Sequence, residues 1–113
     1  MFGSNMYGFK EIDVAGLNSL LSEKKGVALV DVRGENEVIY GVIEGAQHLP
    51  LHLLPIKADE LDKDTHTIFY CRSGARSAQA CAFMAARGHG NVYNLRGGIM
   101  AWTQSGLSLA KVA

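Results

Sequence analysis

The sequence predicts an α/β fold built on a mostly parallel central sheet. Two observations lead there. β-rich runs alternate along the chain with segments of helical spacing, the order that strand–helix–strand units produce. One of the runs, residues 27–32, is almost continuously apolar, as expected of an inner strand covered on both faces.

Residues 9–12 form the first strand candidate. Asp13 reads as a helix N-cap, and Leu17, Leu20 and Leu21 share a helical face. Gly16 weakens that helix, while Lys24, Lys25 and Gly26 supply a basic last turn and a glycine stop. Strand 27–32 follows, then a short helix over residues 35–40. Residues 41–50 read as a loop with an extended piece at 46–49. Residues 53–61 read as helix, with Pro55 in the first turn. Strand 67–70 runs straight into Cys71. Residues 76–87 predict a strong helix ended by Gly88, with Ala78, Cys81, Ala82 and Ala85 as its apolar stripe. Phe83 and Met84 lie off that stripe, so this helix is expected to pack on more than one side. Residues 91–95 form the last strand, and Gly97-Gly98 opens a short helix towards Trp102. The ends, residues 1–7 and 107–113, are expected to be ragged.

The chain has 113 residues, 48% hydrophobic and 19% charged, enough for a buried core and too apolar for disorder. It shows no repeat, low-complexity tract or linker, so residues 1–113 read as one domain with a core of about residues 9–105. Zero formal net charge argues against a dedicated nucleic-acid binder. Two cysteines are too few for a disulfide scaffold and suit a reducing compartment. Residues 1–8 lack the pattern of a signal peptide, and no apolar run is long enough to span a membrane. A soluble, cytoplasmic monomer is expected.

The chemistry gathers at the end of strand 67–70. There the chain reads strand, Cys71, glycine-containing loop, helix. Ligands of open α/β sheets bind beyond the carboxyl ends of strands. A loop that curls there into a helix turns several backbone N–H groups towards one point, where they favour an anion. Gly74 permits the tight curl. Arg72 and Arg76 add positive charge. Such surroundings favour the thiolate of Cys71, the nucleophilic form. A lone cysteine would more often be a small core residue. The loop, helix and two arginines together turn this one into a candidate nucleophile.

Cys71-Arg72-Ser73-Gly74-Ala75-Arg76-Ser77 resembles the active-site loop of single-domain rhodaneses, the thiosulfate sulfurtransferase family. Asp31-Val32-Arg33, Glu37 and Gly41, continuing into Gly45-Ala46-Gln47-His48-Leu49-Pro50, resemble the family's first signature. Val92-Tyr93-Asn94-Leu95, Gly97-Gly98 and Ala101-Trp102 resemble its closing one. The match runs from about Phe9 to Trp102. One departure is Val42, where the family often has histidine.

The resemblance implies a five-stranded parallel sheet with helices on both faces. It also implies a double displacement in which Cys71 takes sulfur from thiosulfate, holds it as a persulfide and passes it to cyanide or a thiol. Arg72, Ser73, Gly74, Ala75, Arg76 and Ser77 would bind the donor. The alternative is a relay protein whose persulfide feeds a partner protein. Neither cofactor nor metal is implied. Rhodanese-like phosphatases and arsenate reductases resemble the same family but have one more residue in the loop. Four residues separate Cys71 from Arg76, which favours sulfur over phosphate.

The remaining polar residues read as structural. Asp31 is expected to pair with Arg33 or to accept from backbone N–H groups, since a buried charge needs partners. Cys81 lies about 7 Å of helix rise beyond Arg76 and reads as core. His48, His52, His66 and His89 lack metal-ligand spacing and read as surface or loop residues. Trp102 reads as an anchor with its N–H bonded. Neither Glu37 nor Glu44 reads as an acid/base residue.

Overall fold

The computed structural model describes residues 2–4, 8–23 and 26–112. Six strands form one sheet: β1 (Phe2–Ser4), β2 (Lys10–Ile12), β3 (Ala28–Asp31), β4 (Gln47–His48), β5 (Thr67–Tyr70) and β6 (Val92–Leu95). Their order across the sheet is β1-β2-β6-β5-β3-β4. The pairs β2–β6, β6–β5, β5–β3 and β3–β4 are all parallel, which gives the expected five parallel strands. The sixth strand is a correction. Phe2–Ser4, placed in a ragged terminus by the sequence, pairs antiparallel with β2, Phe2 opposite Ile12. It supplies backbone partners to an edge that would otherwise stand open.

The helices are α1 (Val14–Ser22), α2 (Glu35–Val38), α3 (Leu54–Lys57), α4 (Ala75–Ala86) and α5 (Gly98–Gln104). Single 3₁₀ turns at Leu51–Leu53 and Ala58–Glu60 flank α3, so the helix expected over residues 53–61 is broken into three short pieces. Asp13 caps α1 as expected, its Oδ1 accepting from Gly16 N–H at 2.7 Å. Lys24 and Lys25, assigned to the last turn of this helix, lie outside the described residues. Gly26 takes the positive φ of a helix stop, 69°.

Side-chain alternation divides the core between the two faces of the sheet. Ile68 and Tyr70 of β5 pack with Leu17, Ile99 and Trp102, beneath α1 and α5. Phe69 and Cys71 point the other way, to Leu54, Ala80, Cys81 and Met84 beneath α3 and α4. The buried stripe of α4 is Ser77, Ala80, Cys81 and Met84, rather than the alanine stripe expected. Ala78, Ala82, Phe83 and Ala85 are partly buried against the same cluster.

The carboxyl-terminal tail is also better held than expected. Ala110 and Val42 exchange backbone hydrogen bonds of 2.8 and 2.7 Å, and Trp102 Nε1 donates to Ser108 O at 3.0 Å. Val42 is buried beneath this tail. No helix among the described residues is long and apolar enough to cross a membrane.

Candidate active site

Strand β5 sits between β3 and β6 and delivers Cys71 at the carboxyl edge of the sheet. Cys71 is only 1% exposed, so its sulfur lies on the floor of the loop that follows. Gly74 makes that loop possible. It takes φ +110°, a region that side chains disfavour, and so turns its own N–H back to Cys71 Sγ at 3.1 Å. Ser77, in the first turn of α4, is fully buried with Oγ 3.4 Å from the same sulfur. Burial alone would push the Cys71 thiol up. The Ser77 hydroxyl and the N–H groups of Ser77, Gly74 and Ser73 outweigh it and bring the thiol below its ordinary value. These donors act on the charged form, which is why they win over desolvation.

The cradle is pinned from the far side by α5. Its first N–H groups are taken up by the loop: Ile99 N–H donates to Cys71 O at 2.9 Å and Met100 N–H to Arg72 O at 3.1 Å. With these two carbonyls held outward, the loop's N–H groups are left to face the sulfur. Gly97 and Gly98, both at positive φ, let α5 approach this closely.

The two arginines differ from expectation. Arg76 is not a free cation beside the thiolate. Its guanidinium forks onto Glu37 of α2, at 2.6 and 2.8 Å, and Glu37 also accepts from Gly34 N–H. The Arg76 hydrogen bond holds the Glu37 carboxyl down to about 2. A lowered carboxylate keeps its stabilising contribution at all pH above its ordinary range and loses it only as pH falls towards 2. Acid dependence of the site above pH 5 therefore originates elsewhere. Arg72, by contrast, is exposed, and among the described residues its side chain has no hydrogen-bond or ion-pair partner. Ser73 and Ala75 are exposed on the rim, and the direct contact of Ser73 with the sulfur is through its N–H.

Asp31 follows its structural reading. Its carboxylate takes the Arg33 guanidinium at 2.8–3.1 Å and the Arg33 N–H at 2.9 Å, and Arg33 goes on to Gly41 O at 2.7 Å. This buried pair ties β3 to the loop before β4. Cys81 is completely buried, free of any disulfide, and pushed up by desolvation. His89 lies in the loop after α4, as one half of its reading has it, but not on the surface: it is buried, and burial lowers its pKa. His48 is half-buried, with Nε2 2.7 Å from Arg33 O, and His66 touches Tyr93 Oη at 2.8 Å. No cluster of three metal-ligating side chains occurs among the described residues.

Sequence reasoning missed two neighbours of the site. Glu37 neutralises Arg76, and Asn94 of β6 holds Ser77 Oγ at 2.5 Å. For Asn94 a signal existed: an amide in a strand buried on both faces must find partners.

A parallel sheet that sets one thiol into a loop of N–H donors defines a class of α/β domains that present a cysteine to anions. The chain belongs to the Rhodanese-like domain family, whose model matches residues 13–105. A sulfurtransferase of Allochromatium vinosum is 48% identical over 99 residues, covering 88% of this chain and 92% of that protein. The thiosulfate sulfurtransferase GlpE of Pseudomonas putida is 33% identical, covering 73% of this chain and 74% of its own. The rhodanese-related protein of Thermoplasma volcanium superposes with a TM-score of 0.81 at 30% identity, covering 88% of this chain and 96% of that one.

Proposed function

We propose that the protein transfers sulfane sulfur through a persulfide on Cys71. The observation that carries this reading is the sulfur at the floor of the cradle, met by the Gly74 N–H and the Ser77 hydroxyl. A thiolate so buried is reached end-on, by a single outer atom. The terminal sulfur of thiosulfate has that shape. Cys71 Sγ attacks it, the sulfur–sulfur bond of thiosulfate breaks, and sulfite leaves with the electron pair. Cyanide or a thiolate then attacks the outer sulfur of the persulfide, and Cys71 departs as thiolate. No general base takes part, because Cys71 enters and leaves ionised. The N–H groups of the loop stabilise the anion at each stage.

Thiosulfate treatment is expected to add the mass of one sulfur atom to the intact protein. Cyanide should then remove it, with one equivalent of thiocyanate released. A protein that stays unmodified in excess thiosulfate sinks the reading.

Because Arg76 is already paired, the steering of an anionic donor falls to Arg72. Arg72→Ala should lower kcat/KM for thiosulfate about three- to tenfold at low salt, with the gap closing at high salt. Removing Arg76 alone would uncover the Glu37 carboxylate, so the comparison is the paired variant Glu37→Gln/Arg76→Gln, which deletes both charges and whose salt dependence should stay close to wild type. If the paired variant flattens it instead, the assignment of charge is wrong.

A second reading, delivery of the sulfur to a partner protein, is favoured by the groove beside the loop. A cavity of about 290 Å³ runs past Arg72, lined also by Asn36, Tyr40, Met100 and Leu109. That is more room than thiosulfate requires. A very high KM for thiosulfate beside rapid transfer from a protein persulfide would select this reading.

A further inference from the structure

Asn94 lies on β6, is 3% exposed, and has an amide whose sense is fixed by its neighbours. Its Nδ2 is 3.2 Å from Gly74 O and 3.2 Å from Glu11 Oε2, both of them acceptors. Its Oδ1 therefore faces Ser77, and Ser77 Oγ must donate to it across 2.5 Å. Ser77 has a single hydroxyl proton, yet its Oγ also lies 3.4 Å from Cys71 Sγ. One proton has two acceptors.

We propose that Asn94 is a positioning residue for Cys71, competing with the thiolate for the Ser77 hydroxyl proton. When Sγ is uncharged, the proton points to Asn94 Oδ1. When Sγ is ionised, Ser77 turns its proton to the sulfur and Asn94 gives up its donor. Ionisation of Cys71 thus costs one buried hydrogen bond while gaining another. Asn94 keeps the thiolate more basic than Ser77 alone would leave it. A more basic thiolate is the stronger nucleophile, and reactivity is best when the thiol titrates near the ambient pH. A sulfur-loaded Sγ is uncharged too, so the proton returns to Asn94 after transfer. That last step rests on the persulfide reading above; the competition itself does not.

The arrangement is more than scaffolding. Gly74 O also accepts from Ala78 N–H at 3.1 Å, and Glu11 also takes Arg96 at 3.3 Å. Both Nδ2 partners therefore keep a donor when the amide is removed. Ser77 alone loses its second partner. The other charges near Cys71 are Arg72 on the loop, Arg76 with Glu37 across α4 and α2, Asp31 with Arg33 at the end of β3, and Glu11 with Arg96. Helix α5 brings none. Substituting Asn94 leaves all of them in place.

The test is the rate of Cys71 alkylation by iodoacetamide against pH, read by peptide mass on the full chain without any sulfur donor. Asn94→Leu should speed the acid limb about two- to threefold and slow the alkaline plateau by a similar factor. The two limbs move oppositely because the thiolate becomes more abundant and less nucleophilic. In a Ser77→Ala background, Asn94→Leu should have no such effect. Asn94→Ala removes the acceptor with less bulk and adds no charge; it should move the two limbs in the same opposite directions, which keeps the idea testable if the leucine variant fails to fold. The proposal is overturned if either variant slows both limbs together or if its effect persists without Ser77. Since no donor is used, these outcomes are independent of whether the protein transfers sulfur.

Discussion

Cys71→Ser is expected to lose the sulfur that thiosulfate adds, completely, while Cys81→Ser keeps it. The two cysteines lie in one apolar cluster on the same face of the sheet, and both are buried. What separates them is their donors. Cys71 receives the Gly74 N–H and faces the Ser77 hydroxyl, and its thiol is lowered against the pull of burial. Cys81 meets desolvation with no compensating donor and is pushed up. At neutral pH it remains a thiol, and a thiol is not the attacking species. A serine hydroxyl at position 71 would keep the shape of the site but supply no nucleophile of comparable strength. The pH dependence has a definite sign. Loading requires the thiolate, so its rate falls as pH drops through the lowered Cys71 value, and that fall lies at lower pH than an ordinary thiol would give. Intact-mass measurement after thiosulfate treatment checks the variants, and loading against pH checks the sign. One added sulfur on Cys71→Ser, absent from Cys81→Ser, would move the nucleophile to the helix.

Much of this site was legible in the sequence because its parts are local. Cys71, Gly74 and Ser77 are within seven residues, and a strand running into a glycine loop and a helix has few shapes open to it. The parallel strands were legible for a related reason: β3, β5 and β6 are buried on both faces and carry little polarity. What escaped depends on distant pairing. Phe2–Ser4 is only three residues long and has a glycine at its centre, so it does not announce a strand, and it forms on an edge that β2 provides. Arg76 and Glu37 are 39 positions apart, so nothing near Arg76 told that its charge was already spent. The helix α4 stripe was misplaced by one step because alanines dominate the segment and carry little directional signal; the sheet decides which of them face inward. The tail that pairs Ala110 with Val42 was unreadable for the same reason, since a single bridge needs both ends in place.

Gly98→Ala should damage the fold as well as the site. Gly98 is buried at φ +62°, and a Cβ there would stand 2.4 Å from Arg72 O and 2.5 Å from Cys71 O. All of the close atoms are backbone, so no side chain can swing aside. The backbone strain and the overpacking together cost about 3 kcal/mol, or about 10–15 °C in Tm for a domain of this size. Gly45→Ala is the fitting comparison. Gly45 also has positive φ, +89°, but nothing lies within 4 Å of its Cβ position. It pays the backbone strain alone, about 1 kcal/mol, and should melt only a few degrees low. Equal melting points for the two variants would mean that α5 shifts freely away from the loop. The structure argues that it does not, because Ile99 and Met100 donate to the two carbonyls that a new Cβ would meet. Moving α5 frees those carbonyls to turn, and the plane of a peptide carries its N–H round with its carbonyl. The donors that surround Cys71 would then lose their common aim. Gly98→Ala should accordingly load sulfur poorly even well below its melting temperature, whereas Gly45→Ala should load it normally.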